Sequence, residues 1–344
     1  MKQFIFILFV VIEAVSHAAP KWIPDILGHG IEMTYVHQPA DYSGVERSTI
    51  IRSLCREHVD RGILYIHGFN DYFFQTQLAL EFNAHGYDFF AVDLRKYGRS
   101  LLVGQTPFQV RDLGEYFADI DSALVEMRRE GIHRIVLMGH STGGLIAAYY
   151  MARNSGRVAD VEALILNSPF LDWNLGKLEK FTGIVSKAGI LFPSLKISQG
   201  NSTAYSESLL KDGHGEWTYN TAWKMRRSPD VEASWVNAID EAQRYLRRHP
   251  RSIKVPVLVM CSTKSADADS WTPECQRADI VLDVNDIVKY GRTLAPNVTI
   301  ARVPGGVHDL ILSAPRVRNS VYAYMFKWLS AVNHTDGAHV VKAN

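Results

Sequence analysis

Short apolar runs and longer stretches of helical spacing alternate along this chain. The runs at 62–66, 88–92, 134–138, 161–166, 255–260 and 298–303 are nearly continuous in apolar residues. Strands covered on both faces read this way, so they predict a parallel sheet. Two earlier segments, 32–37 and 49–54, read as strands joined by a turn region with Pro39, Asp41 and Gly44. Between the runs, 75–85, 144–152 and 314–329 read as helices. The stretch 112–130 is the clearest helix. Leu113, Phe117, Ile120, Leu124 and Met127 recur at three- and four-residue spacing, acids gather early, and Arg128-Arg129 comes late, as the helix dipole favours.

Strand-helix alternation predicts an α/β architecture, a mainly parallel sheet with helices on both faces. The alternation stops between 169 and 250. That stretch is helix-like and rich in aromatics: Trp173, Trp217, Trp223 and Trp235, with Phe170, Phe181, Phe192, Tyr205 and Tyr219. It is expected to be a helical cap inserted over the C-terminal edge of the sheet. Most of its aromatics should fill its own core, and a minority should line an apolar acyl pocket. The core then comes in two parts, 20–168 and 251–332, followed by a polar tail at 333–344.

The first 19 residues read differently. Lys2 gives a basic start, 4–15 is apolar apart from Glu13, and Ser16-His17-Ala18 places small residues ahead of Ala19-Pro20. This is the pattern of a secretory signal peptide cut after Ala18 or Ala19, so a secreted or periplasmic protein is expected. The alternative is an uncleaved anchor, for which the apolar run is short. Export permits a disulfide among Cys55, Cys261 and Cys275. Cys261 and Cys275 are close in sequence and bracket a polar insertion, so they are the expected pair. Sequons at Asn201, Asn297 and Asn333 matter only in a host that glycosylates.

Charge changes the picture by exclusion. The 37 Lys and Arg against 36 Asp and Glu leave a net charge of +1, with no basic run. Nucleic acid is therefore not an expected partner. No cysteine spacing fits zinc, and the 13 histidines do not cluster as ligands.

The chemistry lies between the run at 134–138 and the helix at 144–152, in Gly139-His140-Ser141-Thr142-Gly143. A sharp strand-to-helix turn of the form G-x-S-x-G lifts a serine hydroxyl into a cleft, and its glycines are needed where side chains would collide. A serine hydroxyl needs a base, and the base needs an orienting group. His308 follows the last strand in Val303-Pro304-Gly305-Gly306-Val307-His308 and is the candidate base. His67 is the rival, although a histidine there more often braces a loop. His140 is read as structural. Asp279 is the favoured acid, with Asp267 and Asp269 as alternatives and Glu274 and Asp283 also in range. The N–H groups of Phe69 and Thr142 are the expected oxyanion donors. Such chemistry needs no metal and no organic cofactor.

These residues resemble the α/β-hydrolase superfamily, and within it the monoacylglycerol lipase and lysophospholipase-like esterases, a group also described as serine aminopeptidase-like. The resemblance covers 62–329. It rests on His67-Gly68, on Asp93-Leu94-Arg95-Lys96-Tyr97-Gly98-Arg99-Ser100, on Gly139 to Gly143, on Asp279-Ile280-Val281-Leu282-Asp283 and on Gly305-Gly306-Val307-His308. It implies the α/β-hydrolase fold with an eight-stranded-type sheet and a serine hydrolase with Ser141, Asp279 and His308 as its triad. The substrate it implies is a small ester or lipid, with transient contact to a lipid surface through the cap. Two departures stand out. The family's usual Arg-Gly-His-Gly is here Arg95-Lys96-Tyr97-Gly98. An insertion, 264–278, separates the strand from Asp279, and a Cys261–Cys275 disulfide would fold it back. An aminopeptidase or amidase on the same triad is the alternative. An aminopeptidase would need a cap carboxylate for the substrate ammonium, with Glu207, Asp212 and Glu216 as candidates. A non-catalytic binding protein on this fold is the remaining reading.

Overall fold

The computed structural model describes residues 21–154, 156–173 and 189–340. The expected signal peptide and Phe181 lie outside the described residues. Eleven strands are described: β1 Ile23–Pro24, β2 Glu32–Asp41, β3 Gly44–Ser53, β4 Arg61–Ile66, β5 Asp88–Asp93, β6 Arg134–His140, β7 Val161–Asn167, β8 Lys196–Ile197, β9 Val231–Glu232, β10 Val257–Ser262 and β11 Val298–Val303. The helices are α1 Thr76–Ala84, α2 Phe117–Arg129, α3 Thr142–Asn154, α4 Ala204–Leu209, α5 Ala233–Arg248, α6 Val284–Gly291 and α7 Pro315–Val340.

Nine strands form one sheet in the order β1-β2-β3-β5-β4-β6-β7-β10-β11. From β5 to β11 every neighbouring pair is parallel, and β1, β2 and β3 join antiparallel at one edge. The eight-stranded expectation therefore gains one two-residue edge strand, β1. Alternation along the strands divides the apolar side chains between two cores. Leu64, Phe90, Leu137 and Val259 pack with Ile120, Leu145 and Ile239 on one face. Ile63, Phe89, Met138 and Leu258 pack with Leu78, Phe82 and Met325 on the other.

The helix expected at 112–130 begins as a 3-10 turn, Leu113–Tyr116, and continues as α2. Asp112 accepts from Gly114 N–H at 2.6 Å and Glu115 from Asp112 N–H at 3.1 Å, a reciprocal cap that fixes where it starts.

The inserted region departs more from expectation. Within it, Lys196–Ile197 and Val231–Glu232 meet in a small antiparallel pair, β8 with β9, where no strand signal is legible. Pro193, Gly200, Gly213, Gly215 and Pro229 interrupt helical spacing, and α4 is short. Helix α5, at the end of the stretch, buries Trp235, Ile239 and Leu246 in the core beneath the sheet. The first turn of α5 also supplies Trp235 and Val236 to the cavity wall.

The loop after β5 carries three buried cations. Arg99 Nε meets Asp25 at 2.6 Å and its Nη1 meets Asp93 at 2.8 Å. Arg95 pairs with Asp119 at 2.7 Å, and the fully buried Lys96 pairs with Asp41 at 2.6 Å. A Cβ on Gly98 would lie 2.5 Å from Asp93 Oδ2, so only glycine fits there. Removing one member of a buried pair strands the others' charge. Arg99→Ala is expected to lower unfolding stability by about 3–5 kcal/mol. Denaturant unfolding checks this, and a loss under about 1 kcal/mol would show that water reaches the pair.

Candidate active site

Ser141 stands between the last residue of β6 and the first of α3, with φ +52. The surrounding glycines are sterically required. A Cβ on Gly139 would lie 2.4 Å from the Gly143 carbonyl oxygen, and one on Gly143 would lie 2.2 Å from that of His67. The turn therefore packs against the loop after β4 with no room for side chains. Ser141 N–H donates to the Asn167 carbonyl at 3.0 Å, which ties the turn to β7.

The loop after β11 brings His308 to this serine. Gly305 takes φ +72 to turn the chain, and Val307 N–H donates to Ser313 Oγ at 3.0 Å. His308 Nε2 lies 2.9 Å from Ser141 Oγ, and Nδ1 lies 2.9 Å from Asp279 Oδ2. A carboxylate only accepts, so Nδ1 carries the proton and Nε2 presents its lone pair to the serine O–H. Asp279 is fully buried. Its other oxygen accepts the N–H groups of Val281 and Leu282, both at 2.9 Å. The site thus holds a continuous chain from hydroxyl to imidazole to fixed carboxylate.

Asp279 meets the histidine; the other acids in range do not. Asp267 and Asp269 are exposed, Glu274 pairs with Lys264, and Asp283 caps α6 through Asn285 N–H at 2.8 Å. Backbone hydrogen bonds close the insertion at its base, and Ser265 adds side-chain bonds there, donating to the Leu282 carbonyl at 2.9 Å and accepting Val284 N–H at 2.8 Å. Asp279 N–H donates to the Lys264 carbonyl at 3.0 Å, and Ala266 N–H to the Asp279 carbonyl at 2.9 Å. The expected Cys261–Cys275 disulfide is not formed, and all three cysteines are free thiols. Cys261 is buried in the core on β10, whereas Cys275 sits in a 3-10 turn and accepts from Thr272 N–H at 3.3 Å. Burial pushes the Cys261 thiol up to about 12 and that of Cys55, beside Asp88, up to about 11. Iodoacetamide at pH 8 is therefore expected to spare Cys261 in the native protein and to label three thiols in denaturant without reductant. Two missing labels would restore the disulfide.

His67 has both nitrogens engaged elsewhere. Nε2 accepts Leu94 N–H at 3.1 Å and Nδ1 donates to the Gly68 carbonyl at 2.8 Å. It braces the loop. His140 donates through Nδ1 to the Asn167 carbonyl at 3.2 Å. Burial, and then the nearby His308, push it down to about 3, so it is neutral at working pH. A Cβ on Gly68 would stand 3.1 Å from Ser141 Cβ, so the loop backbone lies directly against the nucleophile. Phe69 follows on that loop, and Thr142 opens α3 at its positive dipole end. Among the described residues neither N–H donates to a protein acceptor.

Ser141 and His308 open into a cavity of about 610 Å³. Its wall includes apolar Phe170, Trp173, Trp235, Val236 and Leu282. It also includes polar Ser198, Gln199, Ser202, Lys224 and Arg226. No carboxylate lines it among the described residues. Glu207 is held by Thr203, Asp212 by Arg226 and Glu216 by Arg318.

A family profile described as serine aminopeptidase, S33 (Hydrolase_4) matches residues 57–272. The chain belongs to this α/β-hydrolase family. The match stops short of Asp279 and His308, which the geometry supplies. Among curated relatives, the AB hydrolase superfamily protein YisY of Bacillus subtilis is 36% identical over 110 residues, 31% of this chain and 37% of that one. The probable lysophospholipase L2 of Haemophilus influenzae is 22% identical over 280 residues, covering 75% of this chain and 78% of its own. Among solved structures, the monoglyceride lipase of Saccharomyces cerevisiae, bound to a substrate analog, superposes with a TM-score of 0.66 at 19% identity. It covers 92% of this chain and 96% of its own.

Two residues near the site are not singled out by sequence. Asn70 has φ +49, which its position after Gly68-Phe69 hints at, since asparagine tolerates that region. Lys224 carries no local signal, because its partner Asp71 lies far away in the chain.

Proposed function

We propose that this protein is a serine hydrolase of carboxylic esters with a lipid-like acyl group, a monoacylglycerol, a lysophospholipid or a short acyl ester. The observation that carries the reading is the Ser141–His308–Asp279 chain of hydrogen bonds on the wall of a cavity lined in part by Phe170, Trp173 and Trp235. Ser141 Oγ attacks the acyl carbonyl carbon as His308 Nε2 takes the hydroxyl proton. Asp279 holds the imidazolium. The N–H groups of Phe69 and Thr142 receive the oxyanion. The carbon–oxygen bond to the leaving group then breaks, and His308 gives its proton to the departing alkoxide. Water, activated by the same imidazole, releases the acid and frees Ser141.

Lys224 and Arg226 on the cavity wall suit an ester better than a peptide with a free ammonium. In this reading the leaving alcohol faces the serines and Lys224, and the acyl chain lies against Trp173 and Trp235. The neighbours named as a lysophospholipase and a monoglyceride lipase support it by analogy. Ile190, Leu191 and Phe192 are about two-thirds exposed or more, just before Ile197 on the cavity wall. They support transient contact with a lipid surface. Export to the periplasm or the exterior belongs to the same proposal, carried by the basic and apolar start of the chain.

A panel of p-nitrophenyl esters from acetate to palmitate, set beside amino-acid p-nitroanilides, tests the reading. Ester turnover with an optimum at one acyl length is the expected outcome. Preferred cleavage of the anilides would replace it with the peptidase.

A further inference from the structure

The inserted segment is joined to the loop after β4 almost residue by residue. The Asn70 side chain grips one peptide unit on each side of Met225. It accepts Met225 N–H and donates to the Met225 carbonyl, both at 2.8 Å. Asp71 meets Lys224, with Nζ 3.0 Å from Oδ1. The Tyr72 hydroxyl accepts Asn220 N–H at 2.8 Å, and its ring meets Trp223 edge-on at 5.1 Å. Phe74 packs on Tyr219 at 5.1 Å. Loop positions ascend as cap positions descend, so the two segments lie antiparallel and are held by side chains.

The stitch is buried where it is charged. Asp71 is 1% exposed and Lys224 5%. The lysine ammonium lies within 6 Å of the Tyr205 and Tyr219 ring centres. Leaving either charge without the other in such surroundings is costly. Asn70 sits one residue beyond Phe69, the expected oxyanion donor, and two beyond Gly68, whose backbone lies against Ser141. A side chain held at both ends fixes the backbone of its own residue, and Asn70 is in the left-handed region, one of several conformations a free asparagine would sample.

We propose that segment 219–226 is a clamp that holds the oxyanion loop in its working shape, with Asn70 as the positioning residue and the Asp71–Lys224 pair as its lock. The proposal rests on the esterase reading above for its kinetic test. Asn70 acts on the reaction through the Phe69 N–H. An oxyanion donor matters chiefly once negative charge develops, so loosening it lowers kcat and leaves ground-state binding nearly alone.

The test compares wild type, Asn70→Gly and Lys224→Met on a short p-nitrophenyl ester, with an alkyl trifluoromethyl ketone as the oxyanion mimic. Glycine retains access to the left-handed backbone and removes the grip together with one small side chain of the cavity wall. The expected result for Asn70→Gly is a fall in kcat of about 10- to 100-fold, with KM within about threefold. The ketone Ki should rise by the same factor as kcat/KM falls. Lys224→Met should move both quantities in the same direction. Unchanged kcat and Ki in both variants would overturn the clamp, as would a rise in KM alone, which marks a substrate contact.

If a variant does not fold, or if wild type turns over no ester, hydrogen exchange on the wild-type protein decides. Amides of 68–72 and 219–226 should open together in one step. Independent opening overturns the proposal. Lack of Ser141-dependent turnover in wild type counts against the esterase reading alone.

Discussion

Ser141→Ala is expected to lower kcat/KM for the best p-nitrophenyl ester by about 10⁴- to 10⁶-fold, with thermal stability close to wild type. The size of the effect follows from the geometry. The hydroxyl at 2.9 Å from His308 Nε2 is the one nucleophile on that hydrogen-bonded chain. Alanine leaves the imidazole, the carboxylate and the N–H donors in place, and these alone supply only a residual acceleration. Alanine also removes no core packing, since the serine side chain faces the cavity. Stopped assays with burst-phase analysis separate the two cases that matter. Loss of both burst and steady-state rate means that the acyl-enzyme never forms. A variant that keeps even a tenth of the activity would mean that another group attacks the ester.

Asp279→Asn should cost about 10⁴-fold in kcat, whereas Asp267→Asn should leave kcat within about twofold. The amide would fit the space but reverse the hydrogen-bond logic. Its NH₂ would donate to His308 Nδ1, drive the ring proton to Nε2 and face a donor toward the serine O–H. The two Val281 and Leu282 N–H groups now satisfied by a carboxylate oxygen would then select the amide's oxygen and lock in that wrong orientation. Comparison of kcat for the two variants checks this. Equal losses, or a larger loss at Asp267, would return the acid's role to the exposed arm of the insertion.

The sheet is legible because parallel strands buried on both faces must be continuously apolar. The runs ending at Ile66, Met138 and Leu166 therefore fall where β4, β6 and β7 lie. The turn at Ser141 is legible for a different reason: its glycines answer to collisions measured in tenths of an ångström. Other features depend on partners distant in the chain. Five acids follow β10, and local sequence does not separate them. Asp279 reaches His308 because the insertion folds out and its ends pair at Lys264 and Ala266. The same closure explains why no disulfide is needed and why the Cys261–Cys275 expectation fails. The strands β1, β8 and β9 are two residues each, too short to carry a period. Helix α5 has the helical pattern expected of the cap, yet it packs chiefly on α3 and gives Trp235 and Val236 to the cavity wall. Asn70 and Met225 are 155 positions apart, and nothing near either one announces the other.

One measurement bears most directly on the claim that Ser141 is the nucleophile of an ester hydrolase. Wild-type protein is treated with an alkyl fluorophosphonate, with and without a saturating long-chain monoacylglycerol or lysophospholipid, and the adduct is mapped by peptide mass spectrometry. A single phosphonylated residue, Ser141, and slower labelling when the lipid is present are the expected result. Labelling elsewhere, or no labelling with the protein folded, would contradict it.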